Sequence, residues 1–170
     1  RDKDAVIASV LIAEMALYYQ CQGKNLYQAL QDLFKQYGYY KEGQVALEMK
    51  GKDGQEKIVQ IISDLRDNPP KSINQVKITQ IEDFELSQLK DLKTGESQII
   101  DLPKSNVIKF TFEDGSWVVV RPSGTEPKMK IYAAVTGNSD KESDEKLQQL
   151  KKNTDSKRNG GYRKSDGLQR

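Results

Sequence analysis

Between residues 108 and 135, apolar and polar residues alternate along two stretches, and a short continuous apolar run lies between them. A period of two puts alternate side chains on one face, so each stretch predicts a half-buried β-strand. The strands are marked by Ile108, Phe110 and Phe112, by the run from Trp117 to Val120, and by Met129, Ile131, Ala133 and Val135. Asp114-Gly115, a tight-turn signal, separates the first two strands. Because such a turn joins antiparallel strands, the pattern predicts a mostly antiparallel sheet.

Helical periodicity dominates the first 70 residues. Asp4 is a candidate N-cap for a helix that runs to about Gln22, and its apolar residues surround the axis, which predicts a largely buried helix. The pattern then predicts a helix capped by Asn25 and ended by Gly38, a strand over 39–50, a turn at 51–54 and a helix bearing Ile58, Ile61, Ile62 and Leu65. Pro69-Pro70 ends that helix and marks the predicted domain boundary. Beyond the prolines we predict a strand from Val76 to Ile81, an irregular segment over 82–105 and, after the alternating strands, a short helix from Asp140 to Leu150.

The composition is typical of a soluble globular chain, with 36% hydrophobic and 31% charged residues. Its 170 residues would make one or two domains. No apolar run is long enough to span a bilayer, and Glu14 interrupts the N-terminal apolar stretch, which argues against a signal peptide. The single cysteine, Cys21, cannot form an internal disulfide and is predicted to be a buried structural thiol. The expected location is a reducing cytoplasm, with no membrane partner.

The net charge of +2 is too small to predict a polyanionic partner for the whole chain. Residues 154–170, however, are rich in lysine and arginine and nearly free of apolar side chains. Such a segment cannot bury enough apolar surface to fold, so we predict a disordered basic tail. A nucleic-acid-binding arm is the weaker alternative, since only Tyr162 in this segment could stack on a base.

Residues 121 to 130, Arg-Pro-Ser-Gly-Thr-Glu-Pro-Lys-Met-Lys, join two of the predicted strands. They place cations, hydroxyls and a glycine on one short turn, and these are the groups that hold a phosphate. Arg121 offers a planar fork of donors suited to two oxygens at once. The other donors are the hydroxyls of Ser123 and Thr125, the backbone around Gly124, and the ammonium groups of Lys128 and Lys130. The alternative is a polar hairpin turn with solvated charges.

The string R-P-S-G-T-E-P-K closely resembles the phosphate-binding loop in the C-terminal domain of the phosphoglucomutase/phosphomannomutase family, the phosphohexomutases. The first six residues, Arg-Asp-Lys-Asp-Ala-Val, resemble the start of the helix after the sugar-recognition loop in the family's third domain. The likeness covers residues 1 to about 150. It implies that the substrate phosphate that is not being transferred is bound by Arg121, Ser123, Gly124 and Thr125, with Lys130 beside them. Lys3 matches a lysine that borders the family's active cleft and can reach the bound sugar phosphate.

The resemblance also implies a fold and an activity. The fold is α/β (α+β): the C-terminal half of an α/β third domain, residues 1–70, precedes a small fourth domain, residues 71–153, with a mostly antiparallel sheet flanked by helices. The activity is the interconversion of hexose 1-phosphate and hexose 6-phosphate. The chain has no histidine and no Asp-x-Asp-x-Asp run, so the family's phosphoserine and Mg²⁺ are expected in upstream domains of the same enzyme, with no cofactor and no catalysis in this chain alone. A freestanding sugar-phosphate-binding module is the alternative.

Three acidic residues, Glu82, Asp83 and Glu85, raise the question of a metal site. A hard cation needs several converging oxygens, and irregularly spaced acids in a loop do not specify that arrangement. We therefore predict a solvated surface without a metal at these residues.

Overall fold

A computed structural model describes residues 3–49, 52–124 and 126–159. The chain divides into two compact units, one ending at Tyr39 and one beginning at Tyr40. Within the described ranges, two helices form the N-terminal unit, and a sheet with two further helices forms the C-terminal unit.

Both helices of the N-terminal unit begin with a side-chain cap. α1 (Ala5–Cys21) starts after Asp4, whose carboxylate accepts a backbone N–H of the first turn at 2.9 Å. α2 (Leu26–Tyr37) starts with a capping box, in which Asn25 and Gln28 each accept the other's backbone N–H with their side chains. Both helices and both caps confirm the sequence prediction.

The prediction that α1 is largely buried is wrong. Within the described part of the chain no residue of α1 is buried, and Val6 and Val10 are 77% and 63% exposed. Apolar side chains surround the whole axis of α1, whereas α2 has a single apolar stripe. Because only this stripe of α2 can pack on α1, the contact between the two helices covers only part of the apolar surface of α1. Cys21, in the last turn of α1, is exposed as well, and the predicted buried thiol is also wrong.

No single helix in the described ranges is long and apolar enough to cross a membrane. α1 and α2 meet the requirements of length and composition only when taken together, and they are bent by 83° at the break between them.

One sheet organises the C-terminal unit. Its strands are β1 (Tyr39–Glu48), β2 (Ser72–Ile73), β3 (Val76–Asp83), β4 (Gln88–Asp91), β5 (Ser97–Ile99), β6 (Ile108–Phe112), β7 (Trp117–Pro122) and β8 (Lys128–Gly137). Hydrogen bonding gives the order β1-β8-β7-β6-β3-β4-β5, and β2 pairs with β3. The pairs that connect β8 through to β5 are all antiparallel. The predicted fold class, α/β with a mostly antiparallel sheet flanked by helices, is confirmed.

Two helices pack on one face of the sheet. α3 (Lys52–Asp67) contacts β7 and β8, and α4 (Asp140–Asn159) contacts β8. They share a core that consists of Leu47, Ile58, Ile62, Ile78, Ile108, Phe110, Phe112, Val118, Val120, Met129, Ile131, Ala133, Val135, Leu147 and Leu150. Because side chains alternate along a strand, the other face of β7 and β8 remains partly exposed.

The compact units do not divide at Pro69-Pro70, where the sequence predicts a boundary. Leu47 of β1 and Ile58 of α3 lie in the same core as the strands that follow the prolines, and the C-terminal unit begins at Tyr40. Pro69-Pro70 follows the end of α3 without separating two cores, since the apolar stripe of α3 is buried against the sheet. The assignment of the predicted segments to particular family domains stays a prediction.

Two local predictions differ from the structure. The segment 82–105, predicted to be irregular, contains the end of β3 and all of β4 and β5, whose largely exposed side chains show no alternating apolar pattern. The predicted turn at 51–54 is wrong for Lys52 to Gly54, which form the first turn of α3. A Cβ on Gly54 would collide with the backbone carbonyl of Met49, so this glycine permits a close approach of two elements.

α4 is longer than predicted. The sequence predicts a short helix to Leu150 and a disordered tail from residue 154, whereas α4 continues to Asn159. Leu147 and Leu150 are buried in the core that α4 shares with the sheet. Once that part of the helix is fixed, each further residue adds a hydrogen bond without a new nucleation cost, so the helix continues past its last apolar contact. Residues 160–170 of the predicted tail lie outside the described residues.

Candidate anion-binding site

The loop that joins β7 to β8 is a short hairpin closed by backbone hydrogen bonds. Arg121 lies directly opposite Lys130, and Pro122 lies opposite Met129 in the antiparallel register. Beyond these pairs the Ser123 N–H donates to the carbonyl of the first β8 residue at 2.8 Å. The prediction that the loop joins neighbouring strands is confirmed, and the strands fix the positions of both its ends.

Further contacts order the loop itself. The Glu126 N–H donates to the Ser123 hydroxyl oxygen at 3.3 Å. The Met49 N–H donates to the Pro127 carbonyl at 3.0 Å, and Met49 follows the end of β1, the neighbour of β8. The loop is therefore bonded to a second strand as well as to its own hairpin. Order before binding reduces the entropy that a bound anion has to offset.

Arg121 and Lys130 bring two positive charges together. They lie opposite each other with both residues exposed, and neither makes an ion pair with a carboxylate within the residues that the structure describes. Like charges directly opposite in a sheet destabilise the strand pair. An anion bound between them would remove this repulsion and gain two cationic partners.

Lys128, which the sequence groups with Lys130 as nearby positive charge, has a different environment. Its Nζ lies 3.3 Å from Glu48 of β1 and 3.3 Å from Glu126 of the loop. Hydrogen bonding to Glu48 first, and to Glu126 second, raises the pKa of Lys128 above its usual value. The ammonium is charged at neutral pH but shared by two carboxylates. Arg121 and Lys130 are therefore better placed than Lys128 to attract an anion.

Gly124 has no steric need to be a glycine in this hairpin. Its φ is outside the left-handed region, and a Cβ built on it would have no other atom within 4 Å. The space that a side chain would occupy is open to a ligand. The glycine therefore fits a loop whose backbone an anion approaches closely.

The structure brings four of the six predicted phosphate ligands together. Arg121, Ser123, Gly124 and Lys130 belong to one hairpin. Thr125 lies outside the described residues. Lys3 is exposed and precedes α1 in the N-terminal unit. As phosphate ligands, all six residues stay predictions.

The acidic residues at the end of β3 are engaged by cations. Arg66 of α3 contacts Asp83 through Nε at 2.8 Å and Glu85 through Nη2 at 2.7 Å, and Lys109 of β6 lies 2.7 Å from Glu82. Asp83 is only 7% exposed, so the predicted solvated surface is wrong for this residue. Arg66 lies 17 positions before Asp83 in a different element, and no local sequence pattern links the two.

The hairpin lies within a segment that matches a known family. Residues 44–154 match the family described as phosphoglucomutase/phosphomannomutase, C-terminal domain. The chain belongs to the phosphoglucomutase/phosphomannomutase family. The match confirms the resemblance found in the R-P-S-G-T-E-P-K string, and it includes β7, the hairpin and β8. It begins within β1, inside the C-terminal unit.

Curated relatives are similar over the same part of the chain. The phosphoglucomutase of Staphylococcus saprophyticus is 36% identical over 132 residues, which cover 78% of this chain and 24% of the relative. That of Staphylococcus aureus strain MRSA252 is 37% identical over 135 residues, which cover 79% of this chain and 24% of the relative. The chain thus spans about a quarter of the length of these phosphoglucomutases. A crystal structure of parafusin, an exocytosis-sensitive phosphoprotein and phosphoglucomutase from Paramecium, is similar over 84% of this chain and 25% of the parafusin chain. The sequence identity is 13% and the TM-score is 0.44.

Proposed function

We propose that the hairpin 121–130 binds the phosphate of a hexose phosphate in an enzyme that interconverts hexose 1-phosphate and hexose 6-phosphate. The observation that carries the proposal is the opposed pair Arg121 and Lys130, two exposed cations without an ion-pair partner among the described residues. Membership of the phosphoglucomutase/phosphomannomutase family supports the substrate class, because curated phosphoglucomutases are similar over this part of the chain.

The ligands have separate roles in this proposal. The Arg121 guanidinium bonds two phosphate oxygens at once, and Lys130 adds a compact charge on the neighbouring strand. The Ser123 hydroxyl donates a hydrogen bond, and the loop backbone at Gly124 lets a phosphate oxygen approach closely. Thr125, the next residue of the loop, completes the proposed set in the hairpin.

In the proposed reaction this chain binds the hexose phosphate and orients it. Phosphoryl transfer depends mainly on positioning and electrostatic stabilisation. A hexose phosphate held by one phosphate at the hairpin presents its opposite end to the group that transfers phosphate. Because the chain has no histidine and no Asp-x-Asp-x-Asp run, we place that group, a phosphoserine, in upstream domains of the same enzyme. A cytoplasmic location is proposed separately, since the sequence has a single cysteine and therefore no internal disulfide.

The described residues do not fit a magnesium site. Within the described ranges no group of three or more His, Cys, Asp or Glu could hold a metal ion. The acids that cluster in sequence, Glu82, Asp83 and Glu85, contact Lys109 and Arg66 instead. Since a hard cation needs several converging oxygens, we assign the family's Mg²⁺ to the upstream domains as well.

Arg121→Ala is expected to weaken the binding of inorganic phosphate by roughly ten- to a hundredfold, because a hydrogen bond to a charged group contributes on the order of 1.5 to 3 kcal/mol. Arg121→Lys should recover only part of the loss, since an ammonium keeps the charge but not the fork. Chemical-shift changes of the loop amides during a phosphate titration measure the affinity. The thermal midpoint should stay within roughly 2 °C of the wild type, as for other exposed substitutions.

Lys90→Ala is the matched control for the loss of one positive charge. Lys90 is exposed on β4, which β6 and β3 separate from β7. Screening by salt should keep its effect on phosphate affinity within about twofold. An equal loss in both variants would mean that only net charge matters, and unchanged affinity in Arg121→Ala would contradict the proposal.

Gly124→Ala is expected to change binding and stability in opposite directions. Its methyl group would occupy the space open to the anion, and the loss of one hydrogen bond to a charged group should weaken phosphate binding roughly tenfold. The same substitution should raise the free energy of unfolding by about 0.4 to 1 kcal/mol, because alanine restricts the unfolded chain more than glycine does. Phosphate titration and urea unfolding measure the two effects. If the variant keeps its affinity, phosphate does not approach the backbone at Gly124.

A further inference from the structure

Two carboxylates flank the proposed phosphate loop. Glu126 belongs to the hairpin itself, where its backbone N–H donates to the Ser123 hydroxyl oxygen at 3.3 Å. Glu48 ends β1, the strand next to β8, and both carboxylate side chains are more than half exposed. Like charges repel, so an uncompensated carboxylate beside a phosphate would weaken its binding. A phosphate site at this loop therefore needs a positive charge that compensates these acids.

Lys128 supplies that charge. Its Nζ lies 3.3 Å from Glu48 and 3.3 Å from Glu126. With the ammonium in place the three side chains carry one net negative charge, and without it they would carry two. The side chain of Lys128 is only 33% exposed, so water screens the two pairs only in part. Lys128 thus reduces the repulsion that a phosphate meets at the loop.

The strand order separates the roles of the two lysines of β8. β8 lies between β1 and β7. Lys130 is opposite Arg121 of β7, whereas Lys128 makes its ion pair with Glu48 of β1 on the other side. The two lysines are two positions apart, so they share one face of the strand. Lys130 therefore adds its charge to that of Arg121, and Lys128 is committed to the carboxylates.

A backbone contact joins the loop to β1 at the same place. The Met49 N–H donates to the Pro127 carbonyl at 3.0 Å, and Met49 directly follows Glu48. Leu47, on the other side of Glu48, is 6% exposed in the core. Because core packing fixes this end of β1, the Lys128–Glu48 pair and the backbone bond tie the loop to a rigid support. Order in the loop before binding lowers the entropy that a bound phosphate has to offset.

We propose that Lys128 is a positioning residue of the phosphate loop, which neutralises Glu126 and anchors the hairpin to Glu48 without itself touching the phosphate. The inference rests on the proposed function and deepens it, since Lys128 acts through its neighbours and not as a ligand. Arg121 and Lys130 then bind the anion in a loop whose own carboxylate is already compensated. The effect of Glu126 on phosphate binding must therefore depend on the presence of Lys128.

A double-mutant cycle in the full chain tests this dependence, with inorganic phosphate as the probe. Lys128→Ala is expected to weaken phosphate binding about fivefold, the size expected for one interaction between charges near the surface. Glu126→Gln should change the affinity by less than about 1.5-fold when Lys128 is present, but raise it about threefold in Lys128→Ala. Lys128→Arg keeps both ion pairs and should stay within about twofold of the wild type. Chemical-shift changes of the loop amides measure each affinity.

Hydrogen exchange of the Met49 amide tests the anchor without any ligand. That N–H is bonded to the Pro127 carbonyl, so it exchanges when this contact opens. Lys128→Ala should speed the exchange about threefold, and Lys128→Arg should restore the wild-type rate. Lys141→Ala is the matched control, because it breaks an exposed ion pair on α4, where Lys141 Nζ lies 3.8 Å from Glu145. It should change neither the exchange rate nor the phosphate affinity by more than about 1.5-fold.

The results that contradict the inference differ from those that contradict the proposed function. If Glu126→Gln raises the affinity by the same factor with and without Lys128, Lys128 does not act through Glu126, and the inference is wrong while phosphate binding stands. The inference is also wrong if Lys128→Ala leaves the phosphate affinity or the Met49 exchange rate unchanged. If phosphate does not shift the loop amides of the wild-type chain, the proposed function is wrong and the inference fails with it.

Discussion

Phe110→Ala is expected to lower the free energy of unfolding of the C-terminal unit by about 3 to 5 kcal/mol. Phe110 is 1% exposed at the centre of β6, opposite Val118 of β7 and Ile81 of β3. Removing the phenyl ring takes away its burial and leaves a cavity that the strands on both sides cannot close, since hydrogen bonds hold them in place. Urea unfolding followed by Trp117 fluorescence measures the effect in this unit alone.

Ile99→Ala is the control for loss of an apolar side chain from the same sheet. Ile99 lies on β5 and is 87% exposed, so its removal should change the free energy of unfolding by no more than about 0.5 kcal/mol. If Phe110→Ala costs no more than Ile99→Ala, the core is not where the structure places it. Because the chain has two compact units, the fluorescence transition is compared with far-ultraviolet circular dichroism, which reports both units.

Much of the sheet is predictable from alternation because burial on one face imposes a period of two. β6 and β8 carry that pattern, and the structure buries Phe110 and Ile131 as the pattern requires. β4 and β5 bury little on either face, so their sequences lack the pattern and are missed. Strand prediction from one sequence thus finds the strands that contribute to the core and misses those that bury few side chains.

The burial of α1 shows a different limit of sequence analysis. Its composition predicts an apolar surface around the whole axis, and the structure has that surface. Periodicity, however, reports which side chains are apolar and not what covers them. Val6 and Val10 therefore remain exposed although the helix and its cap are predicted correctly.

The candidate site is predictable as a set of residue types and not as an arrangement of charge. Lys128 and Lys130 look equivalent in sequence, since both follow the loop on the same face of one strand. Their environments differ in the structure, because Glu48 of β1, which lies 80 positions before Lys128 in the sequence, forms an ion pair with Lys128. The opposition of Lys130 to Arg121 depends on strand register, which is known only once the hairpin is built.

Arg66→Ala is expected to lower the free energy of unfolding by about 3 kcal/mol, because it leaves the carboxylate of Asp83 nearly buried without a counter-ion. Arg66 Nε lies 2.8 Å from that carboxylate, and the side chain of Asp83 is only 10% exposed. Breaking a buried pair by removing one partner typically costs about 3 to 5 kcal/mol. The low end applies here, since Asp83 also accepts the backbone N–H groups of Glu85 and Leu86.

Two further variants separate loss of the ion pair from loss of packing by the long Arg66 side chain. Lys109→Ala breaks the more exposed pair with Glu82 and should cost no more than about 1 kcal/mol. Asp83→Asn introduced together with Arg66→Ala removes the unpaired charge, so the double variant should be more stable than Arg66→Ala alone. Urea unfolding of all three variants measures these differences. If the double variant is as unstable as Arg66→Ala or less stable, the cost comes from lost packing of the Arg66 side chain, and the buried-charge explanation is wrong.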